Sequence, residues 1–192
     1  MEKYGHLFII SGPSAVGKTS VINEILNRKK SLRHIITCTT RPQREEEQPG
    51  VDYFFMTNEE FLTHKRSGDF IECSEIYGNF YGILLSHIKE RLDNEENALL
   101  SVNWQGFSKI KKALDKNVHG FFLVPSSLKD LEQRIKSRGA ELQSVIDRRL
   151  ELAREDMKHS DIYDFCFENN SLTKTVDGIL KRMDLIRSGR SK

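Results

Sequence analysis

The segment Gly12-Pro13-Ser14-Ala15-Val16-Gly17-Lys18-Thr19 combines two glycines with a lysine and a threonine at the spacing that holds phosphate groups. The glycines allow successive backbone N–H groups to point into one hollow, and a helix that begins near Gly17 adds the positive end of its dipole. Lys18 can reach the β- and γ-phosphates of a nucleotide, and the Thr19 hydroxyl is placed to ligate Mg²⁺. The segment therefore predicts a site for a nucleoside triphosphate with its magnesium ion.

The neighbours of this segment supply the structural context that the motif needs. Residues 6–10 are an apolar run rich in strand-forming side chains, and residues 21–26 have the spacing of a helix. The alternative is a glycine-rich turn that matches the motif by accident. A strand, a loop and a helix in the correct order argue against that alternative.

A second candidate anion site lies in the segment Thr39-Thr40-Arg41-Pro42-Gln43-Arg44. The proline favours a stiff turn, which can hold both guanidinium groups towards one point. The hydroxyl of Tyr53, further along the chain, would complete a phosphate clamp. A solvated charged loop is the alternative, and it is the reading that this segment would favour if it stood alone.

Glu72 lies inside the apolar strand predicted over residues 70–73. Because an unpaired buried carboxylate is costly, we expect it to have a partner, either in the protein or in a ligand that offers two adjacent N–H donors. The segment Tyr77-Gly78-Asn79-Phe80-Tyr81-Gly82 then predicts a turn and an aromatic pair. Tyr81 is suited to cover a base or to donate to a phosphate, although such a motif in isolation is more often core or hairpin.

Residues 97–103 predict a buried parallel strand that ends in polar residues. In many phosphate-loop enzymes this strand ends in an aspartate that helps to hold the metal. The matching positions here are Ser101 and Asn103.

Several arginines near a glycine form the last candidate group. Arg134 and Arg138 lie one helical turn apart, Gly139 follows, and Arg148 and Arg149 begin the next predicted helix. Such a group can cover a triphosphate and supply positive charge as the leaving group becomes negative. An ordinary pair of surface helices with salt bridges is an equally good interpretation of these residues alone.

The remaining periodicities indicate alternating strands and helices. Further strands are predicted over residues 33–38, 118–124 and 165–167. Helices are predicted over 58–65, 86–92, 105–114, 128–135, 145–153 and 176–186. We expect Asn58 to cap the first of these helices, with Phe61 and Leu62 facing inward.

The whole-chain composition excludes several classes of protein. The 192 residues suit one folding unit, and 30 basic against 28 acidic residues give a net charge of +2, too small for an electrostatic nucleic-acid binder. Without an apolar stretch near 18 residues or a signal peptide, we expect neither export nor a membrane span. The separated Cys38, Cys73 and Cys166 predict buried thiols in a reducing compartment, hence a cytoplasmic protein. The six histidines are scattered and predict no metal cluster.

Taken together and in this order, the motifs resemble guanylate kinase over essentially the whole chain. The matching segments are Gly12 to Thr19, Thr39-Thr40-Arg41 through Arg44, Asp52-Tyr53, Phe70-Ile71-Glu72, Gly78-Asn79-Phe80-Tyr81-Gly82, Trp104-Gln105-Gly106, Arg138-Gly139 and Arg149-Leu150. The resemblance implies phosphoryl transfer from Mg²⁺-ATP to GMP, and to dGMP, giving ADP and GDP in purine nucleotide metabolism. No nucleic acid or membrane partner is implied, and we expect a monomer or a small homo-oligomer.

The resemblance also implies an α/β fold with a parallel-sheet phosphate-loop kinase core, an inserted mixed α+β flap that binds the nucleoside monophosphate, and a helical lid. In this single domain the core would comprise about 1–36, 97–126 and 160–192, the flap about 37–96, and the lid about 127–159.

Carried over position by position, the resemblance implies a role for each motif residue. ATP would contact Gly12, Pro13, Ser14, Ala15, Val16, Gly17, Lys18, Thr19, Ser20, Arg134 and Asn169, with Thr19 on the metal. GMP would contact Thr37, Arg41, Arg44, Tyr53, Glu72, Tyr81 and Asn103. The catalytic charges would come from Lys18, Arg41, Arg138 and Arg149. Glu72 would accept hydrogen bonds from guanine N1–H and the 2-amino group, donors that adenine lacks.

Three features of the sequence depart from the family pattern. Ser101 and Asn103 replace two aspartates, Ile83 replaces a serine or threonine, and the proline of the arginine segment has moved by one position. These changes predict weaker magnesium support and leave room for a slow enzyme. The alternatives are a catalytically weak module of this family that binds a nucleotide or a protein, and a kinase for another nucleoside monophosphate.

Overall fold

The computed structural model describes residues 4–76, 78–137 and 143–190. Its nine strands are β1 (Leu7–Ser11), β2 (Leu32–His34), β3 (Thr37–Thr39), β4 (Tyr53–Phe55), β5 (Phe70–Ile76), β6 (Asn79–Leu84), β7 (Asn97–Ser101), β8 (Val118–Val124) and β9 (Phe165–Glu168). The seven α-helices in these residues are α1 (Lys18–Arg28), α2 (Asn58–Ser67), α3 (Leu85–Asp93), α4 (Trp104–Leu114), α5 (Leu128–Lys136), α6 (Gln143–Lys158) and α7 (Leu172–Arg187). Short 3₁₀ helices follow α4 at Asp115–Asn117 and α6 at Ser160–Ile162.

The larger sheet is parallel and has the strand order β2-β7-β1-β8-β9. Its central strand β1 is buried along its whole length, as expected for a strand with helices on both faces. Phe8 and Ile10 face a core layer shared with α1, α5, α6 and α7, whereas Leu7 and Ile9 face a layer shared with α3 and α4. The alternation of side chains along the strand thus supplies both cores.

The second sheet is mixed and has the order β4-β3-β6-β5. Strands β3 and β4 are parallel, and β6 runs antiparallel to both β3 and β5. The register between β5 and β6 shifts between Phe70 and Glu72, which re-aims the side chains of β5 at that point. A parallel sheet flanked by helices, with a second mixed sheet, confirms the predicted α/β fold class.

Four local predictions were wrong. The strand predicted over 33–38 is two strands in different sheets, because β2 ends at His34 and β3 begins at Thr37. Thr57, not Asn58, caps α2, and Leu62 is 37% exposed although Phe61 is fully buried. Of the cysteines, which are all free thiols, only Cys38 is buried; Cys166 is exposed.

Candidate active site

The phosphate loop lies between the carboxyl end of β1 and the start of α1. Gly12 and Gly17 have φ of 143° and 102°, a region in which side chains are strained. A Cβ atom at Gly12 would lie 2.5 Å from the Leu123 carbonyl oxygen, and one at Gly17 would lie 2.6 Å from Asn169 Nδ2. Both glycines are therefore required by backbone conformation and by close packing, as the motif predicts.

Lys18 is folded back over this loop. Its Nζ donates hydrogen bonds to the carbonyl oxygens of Gly12 (2.6 Å) and Pro13 (2.8 Å). Thr19 and Ser20 are exposed in the first turn of α1. The ammonium group is thus held at the mouth of the loop, next to the backbone N–H groups that can receive phosphate.

Two residues distant in sequence brace the loop from outside. Asn169, only 7% exposed, donates through Nδ2 to the Val16 carbonyl oxygen at 2.8 Å. Arg134 donates through Nη1 to the same oxygen at 3.1 Å and through Nη2 to the Asn169 carbonyl oxygen at 2.9 Å. The residues that line the adjoining cleft of about 320 Å³ are Ala15, Gly17, Ser20, Arg134, Ser137, Asn169, Asn170 and Leu172. Arg134 and Asn169, both predicted to contact ATP, therefore lie next to the phosphate loop, which was also predicted to contact ATP.

The predicted phosphate clamp is assembled on the mixed sheet. Thr37 pairs with Tyr53 and Thr39 pairs with Tyr81 across neighbouring strands, which brings the two tyrosine rings to 6.1 Å. The Arg41 guanidinium lies over the Tyr53 ring at 5.4 Å. Arg41, Tyr53 and Tyr81 are thus brought together, whereas the Arg44 side chain is exposed.

A carboxylate that the motif analysis did not single out sits within this clamp. Glu47 Oε1 accepts a hydrogen bond from Arg41 Nη2 at 2.6 Å, and Oε2 accepts one from the Arg44 backbone N–H at 2.9 Å. The hydrogen bond with Arg41 lowers the pKa of Glu47. In the run Glu45-Glu46-Glu47 no sequence pattern distinguishes the last residue from the other two.

Glu72 is 8% exposed on β5, and burial raises the pKa of its carboxyl group. It lies against the start of α4: a Cβ atom at Gly106 would come within 3.1 Å of Glu72 Cγ. Asn103 caps this helix, because its Oδ1 accepts a hydrogen bond from the Gly106 N–H at 2.9 Å. Glu72 and Asn103 therefore flank Gly106. Thr37, half-buried at the start of β3, is two strands away from Glu72 in the mixed sheet.

Asp156 is a second carboxylate that the sequence analysis missed. It is half-buried on α6, burial raises the pKa of its carboxyl group, and the charge of Lys18 acts in the opposite direction. It follows the fully buried Ala153 by three residues. A carboxylate on the inner face of a helix is the sequence signal that could have marked it.

The predicted lid is only partly described. Arg149 is half-buried in α6, and Arg148 is exposed. Arg138 and Gly139 lie outside the described residues, so the predicted role of Arg138 remains a prediction.

Few side chains of the site could ligate a metal ion. Among residues 4–76, 78–137 and 143–190, no cluster of three or more His, Cys, Asp or Glu side chains could hold a metal ion. The exposed Thr19 hydroxyl at the first turn of α1 is compatible with Mg²⁺, which commonly keeps several waters and binds substrate phosphates. The residues present therefore fit a magnesium ion held mainly by the nucleotide and water.

Comparison with known proteins identifies the family. A family model described as guanylate kinase matches residues 4–184. The chain belongs to the guanylate kinase family. Guanylate kinase of Thermotoga maritima is 36% identical over 188 residues, covering 98% of this chain and 89% of the relative. That of a Wolbachia species is 34% identical over 191 residues, covering 100% and 98%.

A solved structure agrees with this assignment to the guanylate kinases. The crystal structure of guanylate kinase from Anaplasma phagocytophilum matches with a TM-score of 0.76 at 28% identity, covering 100% of this chain and 89% of that chain. The predicted resemblance to guanylate kinase is thus confirmed. Within the described part of the chain, no helix is long and apolar enough to cross a membrane.

Proposed function

We propose that this guanylate kinase family member transfers the γ-phosphoryl group of ATP to the phosphate of GMP or dGMP, giving ADP and GDP or dGDP. The observation that carries the proposal is the joint presence of an intact phosphate loop and of a buried Glu72 in the same mixed sheet as the tyrosines of the Arg41, Tyr53 and Tyr81 clamp. The first binds a triphosphate, and the second fits a guanine nucleotide with a phosphate.

On the donor side, the loop N–H groups and Lys18 bind the β- and γ-phosphates of ATP. To reach them, the Lys18 ammonium exchanges at least one of its bonds to the Gly12 and Pro13 carbonyl oxygens. Arg134 and Asn169 hold the Val16 carbonyl and so keep the loop in shape. We assign Arg138 and Arg149 to stabilising the charge that develops on the transferred group.

On the acceptor side, Arg41, Arg44, Tyr53 and Tyr81 hold the GMP phosphate, and Glu72 accepts the two guanine donors with help from Thr37 and Asn103. Holding both phosphates in line supplies most of the rate enhancement, because phosphoryl transfer needs positioning and charge neutralisation more than covalent chemistry. No covalent enzyme intermediate is required.

Thr19 is the residue that would ligate Mg²⁺, and Ser101 and Asn103 offer only uncharged oxygens where carboxylates are usual in the family. A bound magnesium ion would neutralise charge on the ATP phosphates. The proposed setting is the cytoplasm and purine nucleotide metabolism, in a monomer or small homo-oligomer, and free thiols at Cys38, Cys73 and Cys166 are in keeping with a reducing compartment. The division into core, flap and lid at the boundaries given above is part of the same proposal.

The test is ADP formation by the purified chain from Mg²⁺-ATP with GMP, dGMP, AMP, UMP or CMP supplied separately. We expect turnover with the guanine nucleotides alone. Turnover with another base would identify a different acceptor, and GMP binding without turnover would favour a binding module.

A further inference from the structure

The segment that carries Arg41 and Arg44 is closed by Glu47. Besides the two carboxylate hydrogen bonds, the Glu47 N–H donates to the Arg44 carbonyl oxygen at 3.2 Å, and the Glu47 carbonyl oxygen accepts from Gln43 Nε2 at 2.6 Å. One residue thus contacts Arg41, Gln43 and Arg44. The Arg41 and Glu47 side chains are only 15% and 13% exposed, so most of the surface of this ion pair is covered by neighbouring protein atoms.

The two carboxylate oxygens have different tasks. Oε1 binds one terminal nitrogen of the Arg41 guanidinium, while the other terminal nitrogen donates to the Pro42 carbonyl oxygen at 2.6 Å. Two bonds from different nitrogens fix the plane of the guanidinium. Because this group has five N–H donors, donors stay available to a ligand even with the contact to Tyr81. Oε2 binds the Arg44 backbone and thereby sets the spacing between the two arginines.

An arginine side chain that is fixed before the ligand arrives loses less conformational freedom on binding. The Tyr53 ring lies against the face of the guanidinium, and the Tyr81 side chain, on β6, also interacts with it. The Glu47 carboxylate is the negatively charged member of this group, and it holds the edge of the guanidinium in place.

We propose that Glu47 is a positioning residue for the acceptor nucleotide: it orients Arg41 and fixes the Arg44 backbone so that the clamp is formed before the phosphate of GMP binds. This inference rests on the proposed function. It assigns Glu47 no contact with the guanine base, so the effect of Glu47 is specific for the phosphate of the acceptor.

The test compares Glu47→Gln with Glu46→Gln, a matched exposed neighbour, and measures the binding of GMP and of guanosine as well as steady-state kinetics. Glutamine keeps the size of the side chain, but its amide nitrogen cannot accept a hydrogen bond and its charge is lost. We expect the KM and the dissociation constant for GMP to rise about 10-fold, on the scale of a lost charge-assisted hydrogen bond. In Glu47→Gln, the KM for ATP and the affinity for guanosine should remain at the wild-type level.

A second variant tests whether the effect passes through Arg41. In an Arg41→Met background, Glu47→Gln should cause no further loss of GMP affinity, because the group that Glu47 orients is gone. Fully additive effects would overturn the proposal. So would unchanged or tighter GMP binding by Glu47→Gln, the latter being the result expected if the carboxylate merely blocked the phosphate position.

Two further outcomes separate this inference from the proposed function. An equal loss of guanosine and GMP affinity would show a general structural defect and overturn the positioning role alone. If the unchanged protein bound no GMP at all, the proposed function and the role of Glu47 would both be overturned.

Discussion

At the scale of single residues, Glu72 and Asn103 differ in how much of their hydrogen-bonding capacity the protein already uses. Burial removes water from the Glu72 carboxylate and raises its pKa. A ligand that donates hydrogen bonds to this carboxylate would replace the lost water, so the site favours such a ligand. The side-chain oxygen of Asn103, a residue that we expected to contact GMP, already accepts a hydrogen bond from the Gly106 N–H. A carbonyl oxygen has a second lone pair, so Asn103 can still contribute, but as a shared acceptor.

The variant Glu72→Gln tests whether Glu72 recognises the guanine base. The amide nitrogen of glutamine would face one of the two guanine donors, so the ratio of kcat/KM for GMP to that for AMP should fall on the order of 100-fold. Competing the two nucleotides in one assay measures this ratio. Glu75→Gln, at an exposed position of the same strand, is the control and should leave the ratio unchanged. An unchanged ratio in Glu72→Gln would refute the role of Glu72.

The variant Asn103→Asp restores one of the two family aspartates that this chain lacks, and so tests what the loss of that carboxylate costs. Aspartate is an equally good helix cap, adds favourable charge at the start of α4 and offers a charged oxygen to the metal or its water. We expect kcat/KM for GMP to rise several-fold and half-maximal activity to require less Mg²⁺. Asn94→Asp, at the exposed end of α3, controls for net charge. If neither quantity moves, the metal is held without the end of β7.

At the scale of elements, secondary structure was predicted correctly where a helix or strand is long and stays in one layer of the fold. The helices and the buried strands β1, β7 and β8 follow their periodicity. The short strands β2 and β3 were merged, because residues 35 and 36 are apolar and nothing local shows that the chain leaves one sheet for the other. That change depends on long-range pairing: the Ile35 N–H bonds to Leu99, whereas Thr37 already pairs with Tyr53.

The cap of α2 gives an element-level prediction. The Thr57 side chain accepts a hydrogen bond from the Glu60 N–H, and the Glu60 carboxylate accepts one from the Thr57 N–H, which completes a capping box. Thr57→Ala should lower the free energy of unfolding by about 1 kcal/mol. Urea denaturation measures the change. Asn58→Ala is the control, and an equal loss there would restore Asn58 as the cap.

At the scale of the whole molecule, two histidines join the amino ends of β1 and β8. His6 Nδ1 and His119 Nε2 are 3.1 Å apart, and the His119 ring lies 5.6 Å from the Phe8 ring in the core. Burial lowers the pKa of both, that of His119 to about 4. The pair therefore favours the neutral form, in which one ring nitrogen donates to the other.

From these lowered pKa values we expect the free energy of unfolding to fall in acid. Because the pKa of His119 is lower in the folded state, its contribution is complete above pH 6.5 and is lost as the pH falls from 6.5 towards about 4. For a partly buried ring we expect about 2 kcal/mol of lost unfolding free energy. Urea denaturation at pH 7.5 and 4.5 measures the loss, which His119→Gln should reduce. His64→Gln, on α2, is the control, and an unchanged loss in His119→Gln would contradict the assignment.

The sequence by itself determined the phosphate loop between β1 and α1, the order of the motifs and the family, because these depend on local backbone conformation and on residue spacing along the chain. Only the tertiary structure decided which side chains meet. It selected Glu47 from three adjacent glutamates, placed Asp156 near Lys18, and brought Arg134 and Asn169 onto the Val16 carbonyl. Such pairings join segments that packing brings together, and neither periodicity nor motif spacing contains that information.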